Sequence, residues 1–250
     1  MLFCGLLATP ALWAEVNSLA ILSKIDAQVS FMDSDFSTEI VMTQTKPGEG
    51  ISKRTVALFR RDSEQKFVML LLQPESDRGK GYLKIGNNLW LYETVPTRRF
   101  TVTSAKDRFQ NSNARNSDFT RSTLALDYKI VSVGKEKLGP FDTTVYSLEA
   151  LHNDLTFPKT KLWVTADSLV RKTEDYSLSG QLLRTTAMPS YQEFKGRFVP
   201  KKVTIIDALL GKTLNGVFKN ETTEYTLSKL STDPLPSLIF TQSYLEKNSQ

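Results

Sequence analysis

The sequence predicts a mostly β, antiparallel protein whose strands curl toward a barrel behind one N-terminal helix. Three observations carry that expectation. Apolar and polar residues alternate with period two in short runs from Phe36 to Leu230, turn residues recur at hairpin spacing, and no long helical spacer parts the strands. At 250 residues, with 40% hydrophobic and 24% charged residues, the chain has ordinary globular usage and is long enough to bury a sizeable core.

The helix comes first. Val16, Leu19, Leu22, Ile25 and Val29 recur at helical spacing before Ser30, Asp33 and Ser34 close the run. Phe36–Thr43 and Lys53–Arg60 then read as strands around the Lys46-Pro47-Gly48 turn. Phe67–Leu72 is apolar at every position, so that strand must be covered on both faces. Gly81–Thr94 forms a hairpin turning at Gly86-Asn87-Asn88, and Arg98–Thr103 adds another strand. The polar stretch Ser104–Asp118 breaks the rhythm and reads as a long functional or mobile connection, with a short helix after it in Thr120–Asp127. Strands resume at Tyr128–Val133, Thr143–Ala150, Lys161–Thr165 and Leu169–Leu178. Gln181–Ala187, Phe198–Ile206 and Glu221–Leu230 complete the series. The total expected is about eleven strands at hairpin spacing.

Composition narrows the chemistry. The chain holds one cysteine, Cys4, and one histidine, His152, which excludes an internal disulfide and a zinc site built on His and Cys. No metal site and no cofactor are expected. A nucleophilic triad would need His152, which sits in the polar run Leu151-His152-Asn153-Asp154 and reads as a surface residue, so no catalytic residue is assigned. The formal charge of +5 is scattered; it serves solubility and leaves affinity for anionic lipid headgroups open. Nucleic acid is not expected as a partner, because no basic stripe interleaves with aromatics. Residues 1–14, MLFCGLLATPALWA, are uncharged and apolar, too short to span a bilayer, and read as an export signal ending at Ala14. The mature domain is then residues 15–250.

Several motifs, in order, resemble the LolA-like outer-membrane lipoprotein-sorting proteins of bacteria. Gly79-Lys80-Gly81-Tyr82-Leu83-Lys84 with Asn88-Leu89-Trp90-Leu91-Tyr92 and Pro96 is similar to that family's central hairpin. Asn116-Ser117-Asp118-Phe119 resembles its Gly-Ser-Asp-Phe element, with Asn116 replacing the glycine. Leu162-Trp163-Val164 with Asp167, the run Ser179–Thr185, Phe198–Val203 and Phe240–Glu246 are similar to its later segments.

The resemblance implies an incompletely closed barrel with lid helices over its mouth and an apolar interior that takes acyl chains. It implies a periplasmic carrier in outer-membrane biogenesis. Its cargo would be an acylated lipoprotein or phospholipid, with an inner-membrane donor and an outer-membrane acceptor as partners. Phe67, Met69 and Leu71 share one strand face, and Trp90 and Tyr92 share another; with Trp163 these are the expected cavity residues. Family carriers tie the lid to the wall with an inward arginine, for which Arg54 and Arg60 are the candidates. Two other readings stay open: an envelope protein whose barrel is filled by its own side chains, and a lipid hydrolase using His152 or paired carboxylates.

Overall fold

The computed structural model describes residues 10–94, 96 and 98–248, with side chains described from residue 17 onward. Met1–Thr9, which include Cys4 and most of the expected export signal, lie outside the described residues. Helix α1 runs Pro10–Val29, through Ala14. Its stripe buries Leu22 and Ile25 completely or nearly so, whereas Leu19 faces solvent.

The strands follow as β1 (Asp35–Lys46), β2 (Gly50–Arg61), β3 (Lys66–Gln73), β4 (Gly81–Ile85), β5 (Asn88–Glu93) and β6 (Arg99–Val102). After residues 103–123 and the single-turn α2 (Leu124–Asp127) come β7 (Tyr128–Leu138), β8 (Phe141–Ala150), β9 (Lys159–Val164) and β10 (Val170–Tyr176). The long strands β11 (Leu182–Phe194), β12 (Arg197–Leu214) and β13 (Val217–Ser231) precede α3 (Gln242–Asn248). These thirteen strands of the described residues form one sheet in the order β6-β5-β4-β3-β2-β1-β13-β12-β11-β10-β9-β8-β7, antiparallel at each pairing. β6 and β7 end the sheet without pairing to each other, so the barrel is incompletely closed. The thirteen strands stand where the hairpin spacing predicts about eleven, each on a segment named from sequence, with the Gly81–Thr94 hairpin supplying two.

Alternation sets which side chains enter. β1 turns Phe36, Thr38, Ile40, Met42 and Gln44 inward, and β2 adds Val56 and Leu58. β3 is buried on both faces, as its uninterrupted apolar run requires. Phe67, Met69 and Leu71 join the interior cluster, while Val68 and Leu70 face out beneath the C-terminal segment carrying Phe240 and Leu245. Each fully buried side chain of this kind contributes about 1.5–3 kcal/mol. Gly81 makes the close approach of α3 feasible: a Cβ there would lie 2.6 Å from a Leu245 methyl and 2.9 Å from the Met69 carbonyl oxygen. Arg61 fastens this segment, bonding Asp35 at 2.8 and 2.9 Å and the Leu235 carbonyl at 2.5 Å.

The polar stretch 104–118 is not a loose connection. It folds inward as a plug between two 3-10 turns, Phe109–Asn111 and Asn116–Phe119, and buries Phe109, Ala114 and Phe119 in the interior cluster. Bonds offset the burial of Asn113 within it. The Asn113 amide donates to Thr223 Oγ1 at 2.9 Å, and Thr223 donates to Asn113 Oδ1 at 2.8 Å. Among the described residues no helix is long and apolar enough to cross a membrane.

Candidate functional site

Between α1, the 118–124 segment and the concave face of β1, β2 and β9–β13 lies a cavity of about 300 Å³. That is the lower end of the about 300–1,000 Å³ range of small-molecule sites. Ile25, Val29 and Phe31 close it on the helix side, and Phe119 and Leu124 on the plug side. The wall is Phe36, Ile40, Leu58, Leu162, Val170, Met188, Val203 and Leu227, with Phe198, Val199 and Pro200 at one end. Polar groups are few: Arg60, Asp118, Thr173, the phenols of Tyr191 and Tyr225, and some hydroxyls. Burial pushes both tyrosines' pKa up, which keeps them neutral. Such a surface suits apolar matter and offers little to a charged ligand.

Two ionic devices hold the helix side and the plug side of the cavity. Arg60 lies at the rim, 5.5 Å from the Phe36 ring centroid, and donates to both oxygens of Asp62 at 2.9 and 2.6 Å. Asp62 also accepts the backbone amide of Phe31 at 2.9 Å, so this pair grips the chain just after α1. The second is a buried cluster behind the plug. Arg184 donates to Asp175 at 2.7 Å and to both oxygens of Asp118 at 2.7 and 2.8 Å, with its guanidinium 4.3 Å from the Phe157 ring centroid. Burial opposes the charge on Arg184, yet the two carboxylates more than offset it and hold its pKa above the ordinary value.

A third link joins the two lid elements directly. Asp26 on α1 accepts Ser122 Oγ at 2.5 Å and the Leu124 and Ala125 amides at 3.1 and 2.9 Å, capping α2. Burial raises its pKa despite those three donors.

Of the residues expected from sequence, Arg60 alone borders the cavity. Phe67, Met69 and Leu71 point inward but pack solidly with Phe109 and Tyr82, and Phe67 touches only a recess of about 40 Å³ beside Arg60. Trp90 and Tyr92 face the opposite side, against Phe240 and the C-terminal segment, because the inward positions of β5 are Leu89 and Leu91. Trp163 is buried on the outward parity of β9 with the Lys172 ammonium 4.1 Å from its ring centroid, while its neighbour Leu162 lines the cavity. Arg54 sits at the other end of β2, 3.5 Å from Asp77. His152 is exposed in the connection between β8 and β9.

Sequence reasoning did not single out Arg184, Asp118 or Asp26. Arg184 and Asp118 fall in two separate motifs of the family resemblance, and nothing in one dimension pairs them. Asp26 had a signal: it falls four residues after Leu22 and three before Val29, on the apolar stripe, where a carboxylate must find donors.

This arrangement defines a half-open antiparallel barrel with a lidded apolar interior, a LolA-like fold. The chain belongs to a family described as uncharacterized protein, whose model matches residues 63–247. A LolA superfamily protein from Nitrosomonas europaea superposes with a TM-score of 0.75 at 24% identity, covering 91% of this chain and 98% of that one. A domain assigned to outer membrane lipoprotein sorting, from Vibrio parahaemolyticus, gives 0.79 at 18% identity over 93% and 99%. A DUF1329 family protein from Desulfovibrio piger gives 0.78 at 16% identity over the same shares. No curated protein matches the chain.

Proposed function

We propose that this protein is a periplasmic carrier that shelters an acyl chain of a lipoprotein, or of another amphiphile, on its way toward the outer membrane. The observation that carries the reading is the apolar cavity of about 300 Å³ between the sheet and two lid elements that Asp26 links to each other. A chain of about 14 methylenes moved into water costs roughly 11 kcal/mol at ~0.8 kcal/mol each. Transit through an aqueous compartment therefore needs an apolar host, and return of the chain needs a host that opens. The Arg60–Asp62 grip and the Asp26 cap add a few polar bonds to the apolar packing of Leu22 and Ile25, and opening would break those bonds first.

The reading includes no bond-making chemistry. Residues 1–14 act as the export signal and residues 15–250 as the mature carrier, taking cargo from an inner-membrane donor and giving it to an outer-membrane acceptor. The packed half of the interior, where Phe67, Met69 and Phe109 meet, favours the rival reading of a self-filled barrel. Native mass spectrometry of the protein purified without detergent from a membrane-containing host separates the two. A bound mass that releases phospholipid or acylated peptide supports the carrier; a clean apo mass, unchanged after incubation with either, supports the filled barrel.

A further inference from the structure

The far end of the β12–β13 hairpin gathers exposed apolar residues beside lysines. Leu209, Leu210, Val217 and Phe218 are 49%, 40%, 60% and 51% exposed. Residues 208–219 carry Lys212 and Lys219 and no carboxylate. At the same end of the sheet, Ile51 beside the β1–β2 turn and Leu178 before the β10–β11 turn are exposed too.

The display is built rather than frayed. Register between β12 and β13 breaks from Ile206 to Gly211, and Asp207 fills the break. Its Oδ1 accepts the Leu209 and Leu210 amides at 2.9 and 2.8 Å, and its Oδ2 accepts Arg108 at 2.5 Å. Asn220 donates back to the Asp207 carbonyl at 2.7 Å. Beyond the bulge, Gly211 admits the Phe218 ring: a Cβ there would stand 2.8 Å from Phe218 Cζ and 2.2 Å from the Lys219 carbonyl oxygen. A bulge fixed in this way re-aims the ribbon and holds its apolar side chains outward.

We infer that this hairpin tip docks the protein on an anionic membrane surface, its apolar residues entering the headgroup region and Lys212 and Lys219 meeting lipid phosphates. The exposed apolar side chains stand beside Lys212 and Lys219 with no carboxylate in residues 208–219, a composition that favours anionic lipid over a protein partner. A few inserted apolar side chains with adjacent lysines suffice for reversible binding to a bilayer. The polar groove beside the tip, about 300 Å³, adds Lys46 and Glu49, with Arg54 already paired to Asp77. The lipid cavity lies toward the opposite end, bordered by Phe36 at the start of β1 and Phe198 at the start of β12, so docking leaves its rim free. The inference stands whatever the cavity holds.

Co-sedimentation of the full chain with vesicles tests it, using equal parts phosphatidylglycerol and phosphatidylcholine against phosphatidylcholine alone. The expected result is binding that requires phosphatidylglycerol and weakens with salt. Lys212→Gln and Lys219→Gln each reduce it about fivefold, and Val217→Ser with Phe218→Ser reduces it by at least about tenfold. Phe218→Trp keeps binding, and its emission shifts to the blue on anionic vesicles, which shows the tip folded and inserted. Absence of binding, equal binding to neutral vesicles, binding unmoved by the tip substitutions, or an unshifted tryptophan each overturns it.

Discussion

Replacing Arg184 with methionine leaves the Asp118 and Asp175 carboxylates facing each other without their cation. Three charge-assisted bonds of 2.7–2.8 Å disappear, together with the guanidinium over Phe157. Breaking a buried pair by removing one partner costs about 3–5 kcal/mol, because the stranded charge is not solvated. Asp118 retains only the Arg115 amide at 2.7 Å, and the plug it anchors carries Phe109 and Phe119 into the interior. Urea unfolding of Arg184→Met is therefore expected to show a loss of about 3–5 kcal/mol with little change in m. Adding Asp118→Asn and Asp175→Asn removes the stranded charges and recovers much of the loss. A loss below about 1 kcal/mol, the scale of exposed pairs, or no recovery in the triple variant, refutes the reasoning.

Two further predictions concern the lids and the C-terminal segment. Asp26→Ala removes the acceptor for Ser122 and for the Leu124 and Ala125 amides, costs about 1–2 kcal/mol as a lost cap, and speeds release of a bound acyl chain in stopped-flow displacement; unchanged release separates α1–α2 contact from gating. Asp35 has its pKa lowered, first by the hydrogen bonds from Arg61 and then by the Leu235 amide, with burial opposing. A depressed carboxylate contributes stability that is complete above its ordinary value of about 3.9 and is lost as pH falls through the lower folded value. Urea unfolding of the wild type should thus lose stability below about pH 4, and Asp35→Asn should be less stable at neutral pH and lose less on acidification; identical pH profiles for both proteins contradict the assignment.

Local alternation made the strands readable, since each inward position of β1 and β2 is declared by its own neighbours. The doubly buried β3 was readable for the same reason, its unbroken apolar run demanding cover that α3 and the interior provide. What one dimension could not supply was the identity of each covering element. Trp90 and Tyr92 share a face, but only the return of Phe240 and Leu245 from the far end of the chain decides that this face is the outer one. Burial of the stretch 104–118 was not legible, because polarity stands for exposure only when bonds are unavailable, and here Thr223, Ser104 and Arg184 supply them. The family resemblance led to the right fold, and its motifs contained both Asp118 and Arg184, yet the cavity's own wall comes mostly from residues such as Leu58, Val170 and Met188 that carry no motif.

The most direct test is a titration with a fluorescent fatty acid, read as emission on transfer from water to an apolar site. Wild-type protein is expected to bind one equivalent saturably. Met188→Trp, which fills the cavity, should weaken binding at least about tenfold by removing the space for several methylenes, while Trp90→Phe on the outer face leaves it unchanged. No saturable binding by the wild type, or equal binding by Met188→Trp, contradicts an acyl-chain site between α1 and the sheet.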